Sequence, residues 1–126
     1  MVLQSGESSV TYQAQNNISS LTATAYKQLW QRVGDTVTVT GAIPVTPSGS
    51  GSTSVYIPVP SAADSNITSR FDCVGNASVS ETTGIAGRIF GSEVAGHSHQ
   101  CVVEWRSPSG GALQWVHYTM HYRVRD

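Results

Sequence analysis

Charge is scarce in this chain of 126 residues. Asp, Glu, Lys and Arg make up 12% of it, about half of the quarter usual in globular domains. Seven basic residues stand against eight acidic ones and are scattered along the chain. Binding to a phosphate backbone needs clustered Lys and Arg that release counterions, so the composition argues against a nucleic-acid partner. Long apolar runs are missing as well. No segment approaches the roughly 20 apolar residues that cross a bilayer, and no membrane insertion is expected. The opening MVLQSGESSV has neither a basic start nor an apolar run, so a secretory signal is not expected and synthesis in a cytosol is. On that reading the sequons at Asn17, Asn66 and Asn76 carry no glycan message.

Cysteine is sparse too. Cys73 and Cys101 both fall in apolar, strand-like stretches, where they read as two small buried hydrophobes. A disulfide between them requires their Cα atoms to approach within about 7 Å. Neither has a neighbouring His at a spacing that implies an activated thiol. By length the chain is one domain, able to remove roughly two thirds of its unfolded surface from water without metal or disulfide staples.

What is abundant is Ser, Thr and Gly, together with β-branched residues, the composition of an all-β domain with a hydroxyl-rich surface. Residues 1–25 stand apart. They are polar, with single apolar residues (Val10, Tyr12, Ile18, Leu21) too widely spaced for a helix face. Such a tail is disordered when free, and the expectation is an extended arm ordered by a partner surface. From Tyr26 onward strands follow one another. In RVGDTVTVTGAIPV, Arg32 to Val45, Gly34-Asp35 supplies a tight hairpin turn. Val37, Val39, Ile43 and Val45 then alternate with Thr36, Thr38 and Thr40, the period of a half-buried antiparallel strand. Gly41 interrupts the apolar face, which points to a bulge or a close backbone approach. Val55, Ile57 and Val59 alternate in the next strand, whose Pro58 and Pro60 place it at an edge or end it there. FDCVGNASV, GIAGRIFG, HQCVVEWRS and ALQWVHYTMHYRV complete the series. The expected fold for residues 26–126 is therefore an antiparallel β-sandwich or jelly roll of about seven or eight strands.

In the last strand, Val116, Tyr118, Met120, Tyr122 and Val124 share one side, and Leu113, Trp115, His117, Thr119 and His121 share the other. A strand apolar on both faces is central in a sandwich or covered by another subunit. The second alternative makes Trp115, His117, Tyr118, Met120 and Tyr122 a subunit interface.

Motifs for chemistry are few. His97 and His99 share a face if their stretch is a strand and are the candidate metal ligands, but no third ligand has a supporting motif, and no metal or cofactor is expected. His117 and His121 are some 13 Å apart by strand rise, counted at about 3.3 Å per residue. The carboxylates show no spacing that favours a facing pair, and the sequence has neither a nucleophile elbow nor a phosphate loop. A non-enzymatic role is expected. The Trp and Tyr residues serve as packing or as a stacking platform for a sugar ring, and for Trp115 both remain open. Loop residues Thr82, Thr83, Ser107 and Ser109 are the candidate ligand contacts.

YKQLWQRVGDTVTVTGAIPV, SVYIPVP, GIAGRIFG and the closing WVHYTMHYRV together resemble a family of bacteriophage virion domains. These occur at the C-termini of tail-fibre and receptor-binding proteins and as separate virion-surface proteins. The pattern is carried by Tyr26, Arg32, Val33, Gly34, Asp35, Val37, Val39, Gly41, Ile57, Pro58, Val59, Tyr122 and Val124, and spans residues 26–126. The resemblance implies a small β-sandwich that assembles as a homotrimer on a virion surface, after synthesis in the host bacterial cytoplasm. A tail fibre carries a long shaft before this domain, whereas some 25 polar residues precede it here. A capsid decoration (cement) or head-fibre protein, its arm bound to the major capsid protein, is the expectation. The alternatives are a tail-fibre or spike tip, joined to tail or fibre proteins and binding a host-surface polysaccharide, and a free carbohydrate-binding module.

Overall fold

The computed structural model describes residues 3–22, 24, 26–80 and 85–124. Ten strands form one antiparallel sheet: β1 (Leu3–Ser8), β2 (Gln13–Asn16), β3 (Ile18–Leu21), β4 (Gln28–Val33), β5 (Thr36–Pro47), β6 (Gly51–Pro58), β7 (Cys73–Ser80), β8 (Ala86–Gly91), β9 (Gln100–Ser107) and β10 (Gln114–Arg123). Two short 3-10 turns, Ser61–Ala63 and Arg70–Asp72, lie between β6 and β7. The all-β expectation holds. Of the seven or eight strands expected from Tyr26 onward, the described residues form seven, β4 to β10, and the other three come from the segment expected to be an arm. The layers of the anticipated sandwich are one continuous sheet curled into a half-barrel.

The spatial order is β1-β4-β5-β10-β7-β8-β9-β6-β2, with β3 also paired to β5. Local chemistry builds the first hairpin. Gly34 opens the two-residue turn between the paired Val33 and Thr36 with φ +61°, a conformation that glycine adopts without a Cβ clash. Along β5, Val37, Val39, Ile43 and Val45 are fully buried. Pro58 is the last residue of β6, where its missing N–H leaves no gap inside the ladder. The β5–β10 register runs unbroken from Gln114↔Val45 to Arg123↔Thr36, so Gly41 sits in regular pairing and forms no bulge.

Sheet order also fixes the curl. β1 and β2 are the two outermost strands, yet only residues 9–12 connect them. Five peptide units reach at most about 17 Å, so the Ser8 end of β1 and the Gln13 end of β2 lie within that distance of each other. The segment between β6 and β7 covers part of the core, with Ala63 and Ile67 buried. It is tied down by Tyr122 Oη donating to the Ala63 carbonyl (2.6 Å) and Ser65 Oγ donating to the Arg123 carbonyl (2.7 Å).

Candidate functional site

Strand β10 lies between β5 and β7, and its side chains alternate accordingly. Val116, Tyr118, Met120 and Tyr122 point into the core and are at most 3% exposed. This corrects the expected interface: Tyr118, Met120 and Tyr122 pack within their own chain and offer nothing to a neighbour. The strand is two-sided because it is central in a curled sheet. Trp115, half-buried, and His117, exposed, remain on the outer face.

A second correction concerns the arm. Tyr12 is 2% exposed and belongs to the core, while Val10, Ile18 and Leu21 pack against it partly buried. The expected partner surface is the chain's own sheet. The device that achieves this is polar. Asn17, at φ 60°, bends the chain between β2 on β6 and β3 on β5. Its side-chain amide donates to the Gly49 carbonyl and to Thr53 Oγ1, both at 2.8 Å, and the Asn17 backbone carbonyl accepts from the Ser48 N–H at 2.9 Å. Asn16 Nδ2 adds a bond to the Ser52 carbonyl (2.8 Å), and Ser19 Oγ one to the Thr46 carbonyl (3.0 Å). The segment thus grips the β5–β6 hairpin. Adjacent asparagines, tolerant of positive φ, were the signal available in the sequence.

Inside the curl runs a short polar chain that the sequence reading missed. The hydroxyls of Tyr12 and Tyr118 are 2.7 Å apart, and Gln28 Nε2 donates to Tyr118 Oη and to the Pro58 carbonyl, both at 2.9 Å. Burial pushes the pKa of both phenols up, that of Tyr118 strongly. Gln28 Oε1 and Trp30 Nε1 are buried without a hydrogen-bond partner among the described residues. Nothing in the alternation of QLWQRV marks Gln28 as an inward residue in preference to a surface one.

The two candidate metal ligands go to different partners. His97 lies flat on Tyr56, ring centroids 4.1 Å apart and planes 5° apart, with its Nδ1 against Gln100 Oε1. His99 Nδ1 meets Asp64 Oδ1 at 2.9 Å and the Ser65 carbonyl at 3.0 Å. Among the described residues, no three His, Cys, Asp or Glu side chains gather as metal ligands. Several carboxylates are engaged in structural pairs: Glu104 with Arg88 at 2.9 Å, Asp64 with His99, and Asp72 accepting from the Thr68 and Ser69 N–H groups, both at 2.9 Å.

Of the expected ligand loops, Thr82 and Thr83 lie outside the described residues. Ser107 is corrected. It is 3% exposed, its hydroxyl donates to the Ser109 carbonyl and accepts from Gln114 Nε2, and Gln114 in turn accepts from Trp105 Nε1. A Ser held in such a network braces the β9–β10 turn. Ser109 remains exposed. Cys73 and Cys101 are buried and free. Burial and the adjacent Cys73 thiol push the Cys101 pKa well up, the opposite of an activated thiol.

The open surface with the most chemistry is a groove of about 550 Å³ on the outer face of β4, β5, β10 and β7. Its wall includes Tyr26, 54% exposed, whose ring meets that of Trp115 at 5.5 Å and 57°. Leu29, Thr40, Asn76, Ser78, His117 and Thr119 also line it. A separate apolar patch, holding Phe71 and Val74, lies where β7 begins and β10 ends. No protein-family model, curated protein or solved structure matches the chain.

Proposed function

We propose that the chain is a non-enzymatic structural protein of a bacteriophage virion surface, a capsid decoration (cement) or head-fibre protein that acts as a homotrimer. The resemblance over residues 26–126 supports the virion setting. The observation that carries the oligomeric reading is Phe71, 88% exposed beside Val74 at 64%, in a chain that buries nearly all its other strand valines. Contiguous exposed apolar side chains mark contact surfaces, and closed symmetry is the usual arrangement of identical subunits. The subunit contact in this reading centres on Phe71 and Val74 at one end of β7.

Attachment to the capsid falls to β1. Gln4, Ser5, Gly6 and Glu7 are exposed, one edge of the strand pairs with β4, and the other is the end of the sheet. An open edge offers unpaired N–H and C=O groups to an extended segment of the major capsid protein, a contact specified by backbone hydrogen bonds. Many symmetry-repeated copies of a weak contact reinforce a shell by avidity.

Two measurements test the reading. Light scattering on the purified protein is expected to give three times the 13.4 kDa chain mass, with Phe71→Ser shifting it to one. Antibody labelling of source particles is expected to decorate the head in electron micrographs. A monomer at every concentration overturns the trimer. Label confined to the tail tip, or absent from all particles, overturns the decoration role.

A further inference from the structure

We infer that the groove beside Trp115 is a binding site for a neutral saccharide. The inference does not depend on where, or whether, the protein sits on a virion.

Three properties of the groove carry it. The first is size: about 550 Å³ lies within the range of roughly 300–1,000 Å³ of small-molecule sites. It is continued by a second hollow sharing Leu29 and Thr40, which reaches Ser5 and Gly6 on β1. From β7 to β1 there are four strand intervals, about 19 Å at the usual spacing. A trough of that length, open along its side, accommodates a chain of several linked sugar rings.

The second is an aromatic platform. Tyr26 is more than half exposed, and its ring is propped at a fixed tilt by Trp115. The C–H face of a pyranose is apolar and carries a slight positive charge, which suits the negative face of an aromatic ring. A large ring held in place and left open to water is what such stacking requires.

The third is a set of hydrogen-bonding side chains with almost no charge. Thr40, Asn76, Ser78, His117 and Thr119 line the groove. By residue type they supply one amide, three hydroxyls and one imidazole, so donors and acceptors are both present. Sugar hydroxyls both donate and accept. Among the described residues lining the groove the one cationic side chain is Lys27, an exposed group whose ammonium lies 4.0 Å from the Glu7 carboxylate. An acidic glycan or a phosphate is held by clustered cations, and the described lining offers a single lysine. A second copy of the chain fits less well, because interface cores are rich in aromatic, Met and Arg side chains and poor in Ser. The exposed apolar pair Phe71 and Val74 lies elsewhere, at the start of β7.

The test is a titration of the full chain, followed by tryptophan fluorescence and calorimetry. The probes are a panel of neutral hexose oligosaccharides with glucose, galactose, mannose or rhamnose units, alongside a sialylated oligosaccharide. Saturable binding of at least one neutral probe is expected. Tyr26→Ala and, separately, Asn76→Ala should each weaken it about tenfold, the loss of roughly one good contact, while Phe71→Ser leaves it unchanged. Tyr26 and Asn76 are exposed, and circular dichroism verifies that their variants remain folded. His117→Gln, which keeps hydrogen-bonding capacity, should retain more affinity than His117→Ala. Absence of binding across the neutral panel at millimolar concentration overturns the inference. Binding untouched by both Tyr26→Ala and Asn76→Ala places the site elsewhere and also overturns it, as does selective binding of the sialylated probe.

Discussion

Gly41 on β5 and Tyr118 on β10 stand opposite each other in the sheet, and a Cβ at position 41 would lie 2.5 Å from the Tyr118 hydroxyl. The ring lies over the glycine and carries its hydroxyl to Tyr12 and Gln28. The absent side chain therefore makes room for the buried polar chain. Cross-strand aromatic cover of a glycine also offsets the weakness a glycine brings to a strand. Gly41→Ala is expected to destabilise the fold by about 1–3 kcal/mol, the range for overpacking a filled core. Urea denaturation of the two proteins measures it, and a difference near zero would mean that Tyr118 moves aside freely.

Tyr12 decides whether the first strands belong to the domain or to a partner. Its ring is buried and edge-on to Tyr118, with centroids 6.2 Å apart. Tyr12→Ala should lower stability by about 3–5 kcal/mol, as for other large aromatic truncations, and Tyr12→Phe by about 1 kcal/mol through the lost hydrogen bond. Thermal unfolding of the isolated protein is the check. A free arm would leave the melting temperature unchanged in both variants.

Asn17 holds a positive φ and donates two side-chain bonds to the β5–β6 hairpin. Asn17→Gly keeps the backbone conformation and loses only the bonds, whereas Asn17→Ala loses both. The alanine variant should be the less stable by about 1 kcal/mol, the cost of a left-handed conformation for a residue with a Cβ. Equal losses in a denaturant titration would show that the side-chain bonds alone matter.

Alkaline pH should unfold the protein by a defined route. Burial raises the pKa of Tyr12, Tyr118 and Tyr122 above the ordinary phenol value of about 10. Above that pH the unfolded chain loses phenol protons that the folded chain keeps. The unfolded state then binds fewer protons, so stability falls as pH rises. It is undiminished by these groups below about pH 9 and then declines by up to about 1.4 kcal/mol per pH unit for each phenol. Melting curves from pH 7 to 11 test this, and Tyr122→Phe, with one buried phenol fewer, should show a shallower decline.

The two thiols should be silent in the native state. Cys73 is 3% exposed and Cys101 fully buried. An aromatic disulfide reagent is expected to titrate none of them in buffer and two per chain in denaturant. Rapid native reaction would mean that β7 and β9 open locally.

The strands from Tyr26 onward were legible because their signals are local. TVTVT alternates with a period of two whatever it pairs with, Gly34 permits its turn without help from the rest of the chain, and Pro58 ends a strand by lacking an N–H. The outer-face residues Trp115 and His117 were legible for the same reason, since alternation along β10 separates them from Val116 and Tyr118. What alternation cannot say is which face meets which. Tyr118, Met120 and Tyr122 read as an interface because one strand does not reveal that its sheet curls back on itself. Residues 1–25 read as an arm because the strands among them, β1 to β3, are short, polar and weak by propensity. They are held by bonds to residues more than thirty positions away, and Tyr12 by one to a residue 106 positions away. The sequence alone therefore determined the strands, their turns and the absence of charge clusters, all of which rest on neighbouring residues. Only the tertiary structure decided the curl of the sheet, the burial of Tyr12 and Gln28, and the meeting of Tyr26 with Trp115, because each depends on contacts between segments far apart in the chain.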